Sequence, residues 1–214
     1  MKSFYLIFLS FISFSILFGQ NGKVIDELII NSKILKGDRK FAVYLPPDYD
    51  SSNRSYPVLY LLHGLGDNQS AWIQFGEVLH TTDKAINSGI ATSMIIIMPD
   101  AGTGQMGYTN AMSGKWNYED FFFEEFMPHV ENLYRIRKNK RYRAISGLSM
   151  GGGGSFLYAL RRPDLFSSAA PLSASIGPQN IDQMDDHSYL AYWGYSKSNI
   201  NKSDFEKLKK KNNS

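Results

Sequence analysis

The chain has 214 residues, 43% of them hydrophobic and 14% aromatic, which suits one domain with a large buried core and excludes a disordered chain. Its formal charge is only +3, and part of that excess sits in the terminal KLKKKNNS, so charge gives no support to nucleic-acid binding. Without a single cysteine there is no disulfide, no thiolate metal site and no cysteine-borne lipid anchor.

The opening segment places Lys2 before an apolar run from Phe4 to Phe18 and then the small Gly19. That is the pattern of a signal peptide, and the run is shorter than the ~20 residues of a membrane-spanning helix. Residues 1–19 are therefore expected to be removed on export to the periplasm or the outside of the cell, with no retained membrane span. The folded domain is expected over 20–195, and 196–214 reads as a basic polar tail.

VIDELIINS and RKFAVYLP are short β-rich runs with Gly37 and Asp38 between them, and they predict an antiparallel opening pair. YPVLYLLHG is a continuous apolar run ending at His63 and Gly64, as expected of a strand buried on both faces. A helix is predicted from Trp72 to Asn87, then a second buried strand in SMIIIMPDAG. YEDFFFEEFMPHVENLYR has helical periodicity, with acidic residues early and Arg135 late, which complements the helix dipole. RYRAISGLSM supplies a third central strand, the following GGGGSFLYAL a helix that stops before Pro163, and SSAAPLSAS a fourth strand. Strands alternating with helices at this spacing predict parallel βαβ units, hence an α/β three-layer sandwich with a mostly parallel sheet. Beyond Ile176 no run reads as a buried strand.

Gly147, Ser149 and Gly151 form GxSxG between a predicted strand and a predicted helix. This is the setting of a nucleophile elbow, in which a tight turn lifts a serine hydroxyl out of the sheet and brings backbone too close for side chains. Glycine on both sides relieves that clash, and the Met150 amide at the helix start can hold an oxyanion. The extra glycines 152–154 cost a helix roughly 1 kcal/mol each relative to alanine, so close packing against a neighbour is expected there. GTGQMG, Gly102 to Gly107, matches GxGxxG, but the loop YTNAMSGKW follows it where a helix start would be needed, so dinucleotide binding is rejected. No HExxH or paired His/Asp spacing suggests a metal, and no cofactor is expected.

YLLHGLGDN, MPDAG, YEDFFFEEFMPHVENLYR and GLSMGGGG, in this order, resemble the esterase D-like branch of the α/β-hydrolases. That branch includes secreted feruloyl and acetylxylan esterases, S-formylglutathione hydrolases and the mycolyl-transferring antigen 85 proteins. The resemblance covers residues 24–175 and implies a serine carboxylesterase acting on a small ester or an acylated saccharide. It assigns Ser149 as nucleophile, the Leu65 and Met150 amides as oxyanion hole, His63 as structural, and Trp72, Asp100 and Trp116 to the borders of the substrate pocket.

The same resemblance implies a chain order of serine, then Asp or Glu, then His, the last two following two further strands. Only His187, beside Asp185 and Asp186, comes after Ser149. The chain is thus expected to be truncated before its last two strands, with an exposed sheet edge, poor solubility and weak or no activity. His187 is an unusual alternative base, while His80 and His129 fall on predicted helices. A non-catalytic binding module and an acyltransferase sharing the acyl-enzyme stay open as other readings.

Overall fold

In the computed structural model of the chain, residues 21–102, 107–111, 114–175 and Ser203 are described. Residues 1–20, where a signal peptide is expected, lie outside them, as do His187 and nearly all of 196–214.

Six strands form one sheet in the order β1-β2-β4-β3-β5-β6. They are β1 (Lys23–Ser32), β2 (Gly37–Leu45), β3 (Val58–Leu62), β4 (Ile95–Pro99), β5 (Arg143–Leu148) and β6 (Ser168–Leu172). β1 and β2 pair antiparallel, β2 joins β4 antiparallel, and β4, β3, β5 and β6 run parallel. The continuous apolar runs divide their side chains between two faces. Phe41, Val43, Tyr60, Leu62, Ile95 and Ile97 enter a core with Phe121, Phe122, Phe126 and Tyr158, while Ala42, Tyr44, Leu61, Ile96 and Met98 enter a second with Val78. Helices cover both faces, which gives the expected three layers.

The helices are α1 (Ala71–Gln74), α2 (Val78–Asn87), α3 (Tyr118–Asp120), α4 (Met127–Leu133) and α5 (Met150–Arg161). Three expectations are corrected in detail. The single helix predicted from Trp72 to Asn87 is broken at Phe75–Glu77, where Glu77 takes a left-handed φ of 45°. The first hairpin turns at residues 33–36 and not at Gly37, because the Glu125 carboxylate accepts from the Lys33 and Ile34 amides (3.0 and 3.3 Å) and from the Ser32 hydroxyl (2.5 Å). Between α3 and α4 the helix widens to a π-helical segment, Phe121–Phe126, in which the Met127 amide bonds back to the Phe122 carbonyl. That extra residue per turn lets Phe121, Phe122 and Phe126 all reach the core.

β6 is exposed along its whole length, Leu172 included, and Phe156 and Leu160 of α5 are exposed as well. At the opposite end of the central strands, Arg143 donates to Glu131 through Nε and Nη2 (2.6 and 2.8 Å), and the buried Tyr60 hydroxyl donates to the same carboxylate (3.0 Å). Burial, and then the Glu131 charge, push the Tyr60 phenol well above its ordinary range. This triad fixes β3 and β5 to α4. Removing one partner from a buried pair leaves an uncompensated charge, so Glu131→Ala is expected to destabilise the fold by ~3–5 kcal/mol. Urea unfolding measures this, and a loss of under about 1 kcal/mol would contradict the role given to the triad.

Candidate active site

At the carboxyl end of β5 the chain reverses into α5 within one residue. Ser149 takes φ 54°, ψ −109°, a combination that L-residues rarely adopt and that costs about 1–3 kcal/mol. Both of its main-chain groups are held: its amide donates to the Leu172 carbonyl (2.9 Å), and its carbonyl accepts from Gly153 (2.9 Å) and Ser175 (3.0 Å). The end of β6 therefore clamps the turn from outside. The glycines leave room for this crossing. A Cβ on Gly147 would lie 2.5 Å from Gly151 backbone, and one on Gly151 would lie 2.4 Å from the Leu62 carbonyl. On Gly152 it would meet the Leu172 carbonyl at 2.5 Å, and on Gly153 the Ser175 carbonyl at 1.9 Å. The neighbour expected from the glycine run is thus the β6 terminus. Met150 opens α5, so its amide has no acceptor within the helix and faces the same end of the sheet.

Leu65 lies on the turn that leaves β3, where Gly66 takes φ +84° and the Asp67 amide bonds to the Gly64 carbonyl (3.3 Å). A Cβ on Gly64 would come within 3.8 Å of the Leu148 carbonyl, so this turn runs directly beside the elbow. A bulge in β1 between Ile25 and Leu28 braces it from below, with Glu27 at φ 59°. Asp26 accepts from the Ser70 hydroxyl (2.5 Å), and Glu27 from the Gln69 amide (2.8 Å). Sequence reasoning treated these acids as ordinary strand positions. A positive-φ bulge leaves no clear mark in an alternating run.

His63 is 1% exposed and both ring nitrogens are engaged. Its Nε2 accepts from the Ala101 amide (2.9 Å), which can only donate, so the ring proton sits on Nδ1 and goes to the Gly64 carbonyl (2.7 Å). In this tautomer the Asp100 carboxylate, 3.6 Å from Nε2, is a neighbour and not an ion-pair partner. His63 is thus a brace between the loops after β3 and β4. Asp100 itself caps the Gly102 amide at 2.5 Å, and its carbonyl accepts from the Tyr118 hydroxyl (3.0 Å). Trp116 is buried, stacked on Tyr118 with ring centres 5.6 Å apart and donating to the Gly107 carbonyl (2.7 Å). Trp72 donates to the Leu62 carbonyl (3.1 Å) and lines a cavity of about 120 Å³ together with Gly64, Asp67, Ala71, Phe75 and Leu148. Of Trp72, Asp100 and Trp116, expected at a pocket border, Trp72 lines that cavity. His80 is exposed on α2, and His129 packs edge-on against Phe41 at 6.0 Å. Among the described residues, no cluster of His, Asp and Glu could hold a metal.

A strained serine at the head of a helix, with glycines two residues to either side and at the carboxyl end of parallel strands, is the strand-to-helix elbow that GxSxG predicts. A family model described as "Putative esterase" matches residues 32–214. The chain belongs to this esterase family. An esterase of Mycobacterium tuberculosis strain CDC 1551 / Oshkosh is 35% identical over 154 residues, which are 71% of this chain and 31% of that protein. The solved structure of a ferulic acid esterase is 38% identical with a TM-score of 0.71, over 75% of this chain and 62% of that one. A fluorophosphonate-binding serine hydrolase of Staphylococcus aureus is 27% identical with a TM-score of 0.65, over 80% of this chain and 66% of that one. This esterase-family chain thus spans about a third of the length of the curated relative and under two thirds of the ferulic acid esterase structure. The α/β-hydrolase fold expected from the sequence is the fold shared with these structures.

The strain at Ser149 has a measurable consequence. Glycine relaxes it, recovering about 1–3 kcal/mol against an entropic cost of about 0.5–1 kcal/mol. Ser149→Gly is therefore expected to be more stable than the parent by about 1 kcal/mol in urea unfolding, and a less stable variant would contradict the strain.

Proposed function

We propose that the protein is an exported serine carboxylesterase that forms an acyl-enzyme on Ser149. The observation that carries this reading is the forced backbone of Ser149 between Gly147 and Gly151, with the Met150 amide free of helical partners beside it. In the reaction the Ser149 oxygen attacks an ester carbonyl and its proton passes to a base. The resulting oxyanion is held by the Met150 and Leu65 amides, and the alcohol departs with a proton to leave an ester on Ser149. Water then repeats the attack and frees the acid.

The ferulic acid esterase among the similar structures supports an aromatic or other small acyl group on a saccharide as substrate. The apolar cavity beside Leu148, walled by Trp72 and Phe75, is suited to one apolar part of such an ester. His63 is spent as a brace, so the base is assigned to a group outside the described residues, with His187 the one histidine that follows Ser149 in sequence. Export rests on the charged and apolar opening of the sequence; among the described residues no helix is long and apolar enough to cross a membrane.

A fluorophosphonate reports the nucleophile without requiring turnover. Intact-protein mass spectrometry is expected to find one covalent adduct on the parent and none on Ser149→Ala of equal circular dichroism. Equal labelling of the two would remove Ser149 from the mechanism.

A further inference from the structure

β3 loses its ladder partners at its carboxyl end. Its pairing with β4 reaches Tyr60 opposite Ile97, and its pairing with β5 reaches Leu62 opposite Gly147. His63, the next residue, is buried with its backbone beyond both ladders, where an unpartnered N–H or C=O is costly. One side chain serves both groups. The Tyr108 hydroxyl accepts from the His63 amide (2.8 Å) and donates to the His63 carbonyl (3.2 Å). A phenol thus replaces a strand partner two residues before Leu65.

The phenol is itself fixed by the helix on the other side of the elbow. The Tyr108 side chain fills the space left by Gly154, where a Cβ would meet it at 2.8 Å. The Tyr108 carbonyl accepts from the Tyr158 hydroxyl, also on α5, and the preceding Gly107 carbonyl accepts from Trp116. Burial holds the Tyr108 phenol well above the ordinary tyrosine range, so it keeps its proton and can donate at any working pH. One oxyanion donor stands on the turn after His63, and the other stands at the head of α5. Tyr108 touches both sides, through the His63 backbone and through Gly154 and Tyr158 of α5.

We propose that Tyr108 is a positioning residue for acyl transfer, its hydroxyl setting the Leu65 amide relative to the Met150 amide so that both reach one oxyanion. The proposal rests on the reading of Ser149 as nucleophile. Donors that act on developing charge raise the rate of the bond-forming step and leave ground-state binding almost unchanged. Tyr108→Phe keeps the ring and its packing and removes only the hydroxyl. Tyr60→Phe makes the same change at a buried hydroxyl in the middle of β3, where it donates to Glu131.

The experiment compares the kinetics of Ser149 phosphonylation in the parent and the two variants, resolved into a binding constant and a maximal rate, beside their thermal unfolding. For Tyr108→Phe the maximal rate is expected to fall ~10-fold to 100-fold, with binding within about twofold. For Tyr60→Phe the rate is expected to stay within about twofold although the melting temperature falls. A Tyr108→Phe rate equal to the parent's, or equal slowing in both variants, would overturn the proposal while leaving Ser149 in place. A parent that does not label on Ser149 would overturn the nucleophile reading and this inference with it. Where Tyr108→Phe fails to fold, Tyr158→Phe carries the test, because it releases only the Tyr108 carbonyl. A slowing of roughly threefold to tenfold is then expected, and an unchanged rate overturns the proposal.

Discussion

At the seam where α5 crosses the ends of β3, β5 and β6, main chain meets main chain with no room for a methyl group. Four glycines of the elbow helix and one of β5 face carbonyl groups, other glycines or the Tyr108 ring at distances a Cβ could not tolerate. Such a helix forgoes roughly 1 kcal/mol per glycine against alanine. Contact with three strand ends offsets that loss and holds Ser149 in a conformation its own φ and ψ disfavour. Strain persists only where its surroundings over-determine it, and here every main-chain hydrogen-bonding group of Ser149 is taken. Compactness and the placement of the proposed nucleophile are one constraint seen from two sides.

The other half of the site is held by hydrogen bonds. His63 as a neutral Nδ1–H tautomer ties the turn after β3 to the loop after β4, and the Tyr108 hydroxyl completes its backbone. The bulged β1 reaches the same turn with Asp26 and Glu27. None of these groups is placed to take a proton from substrate. They fix a backbone amide, the form in which oxyanion stabilisation is most often supplied. A buried histidine at a strand end could be taken for a general base, but the Ala101 amide on Nε2 makes it a structural acceptor.

The sequence makes some of this plain. Continuous apolar runs in β3 and β4 declare strands buried on both faces, and GxSxG between a strand and a helix declares the elbow. What it conceals depends on contacts distant in the chain. The first hairpin turns where Glu125, some ninety residues away, supplies a carboxylate. The break at Glu77 and the bulge at Glu27 place glutamates at positive φ, against local preference, because tertiary packing decides there. Tyr108 follows the Gly102–Gly107 motif directly, and nothing local marks its hydroxyl as a partner for His63, 45 residues before it. Trp116, buried against Tyr118, and Asp100, which caps the Gly102 amide, are likewise fixed by contacts that the local sequence does not show.

The central claim is that a backbone-built oxyanion hole faces the Ser149 oxygen. A crystal structure of the phosphonylated protein tests it most directly. The account predicts phosphorus bonded to Ser149 Oγ, with the phosphoryl oxygen within ~3 Å of both the Met150 and Leu65 amides. A phosphoryl oxygen turned to solvent, or to other donors, would contradict it.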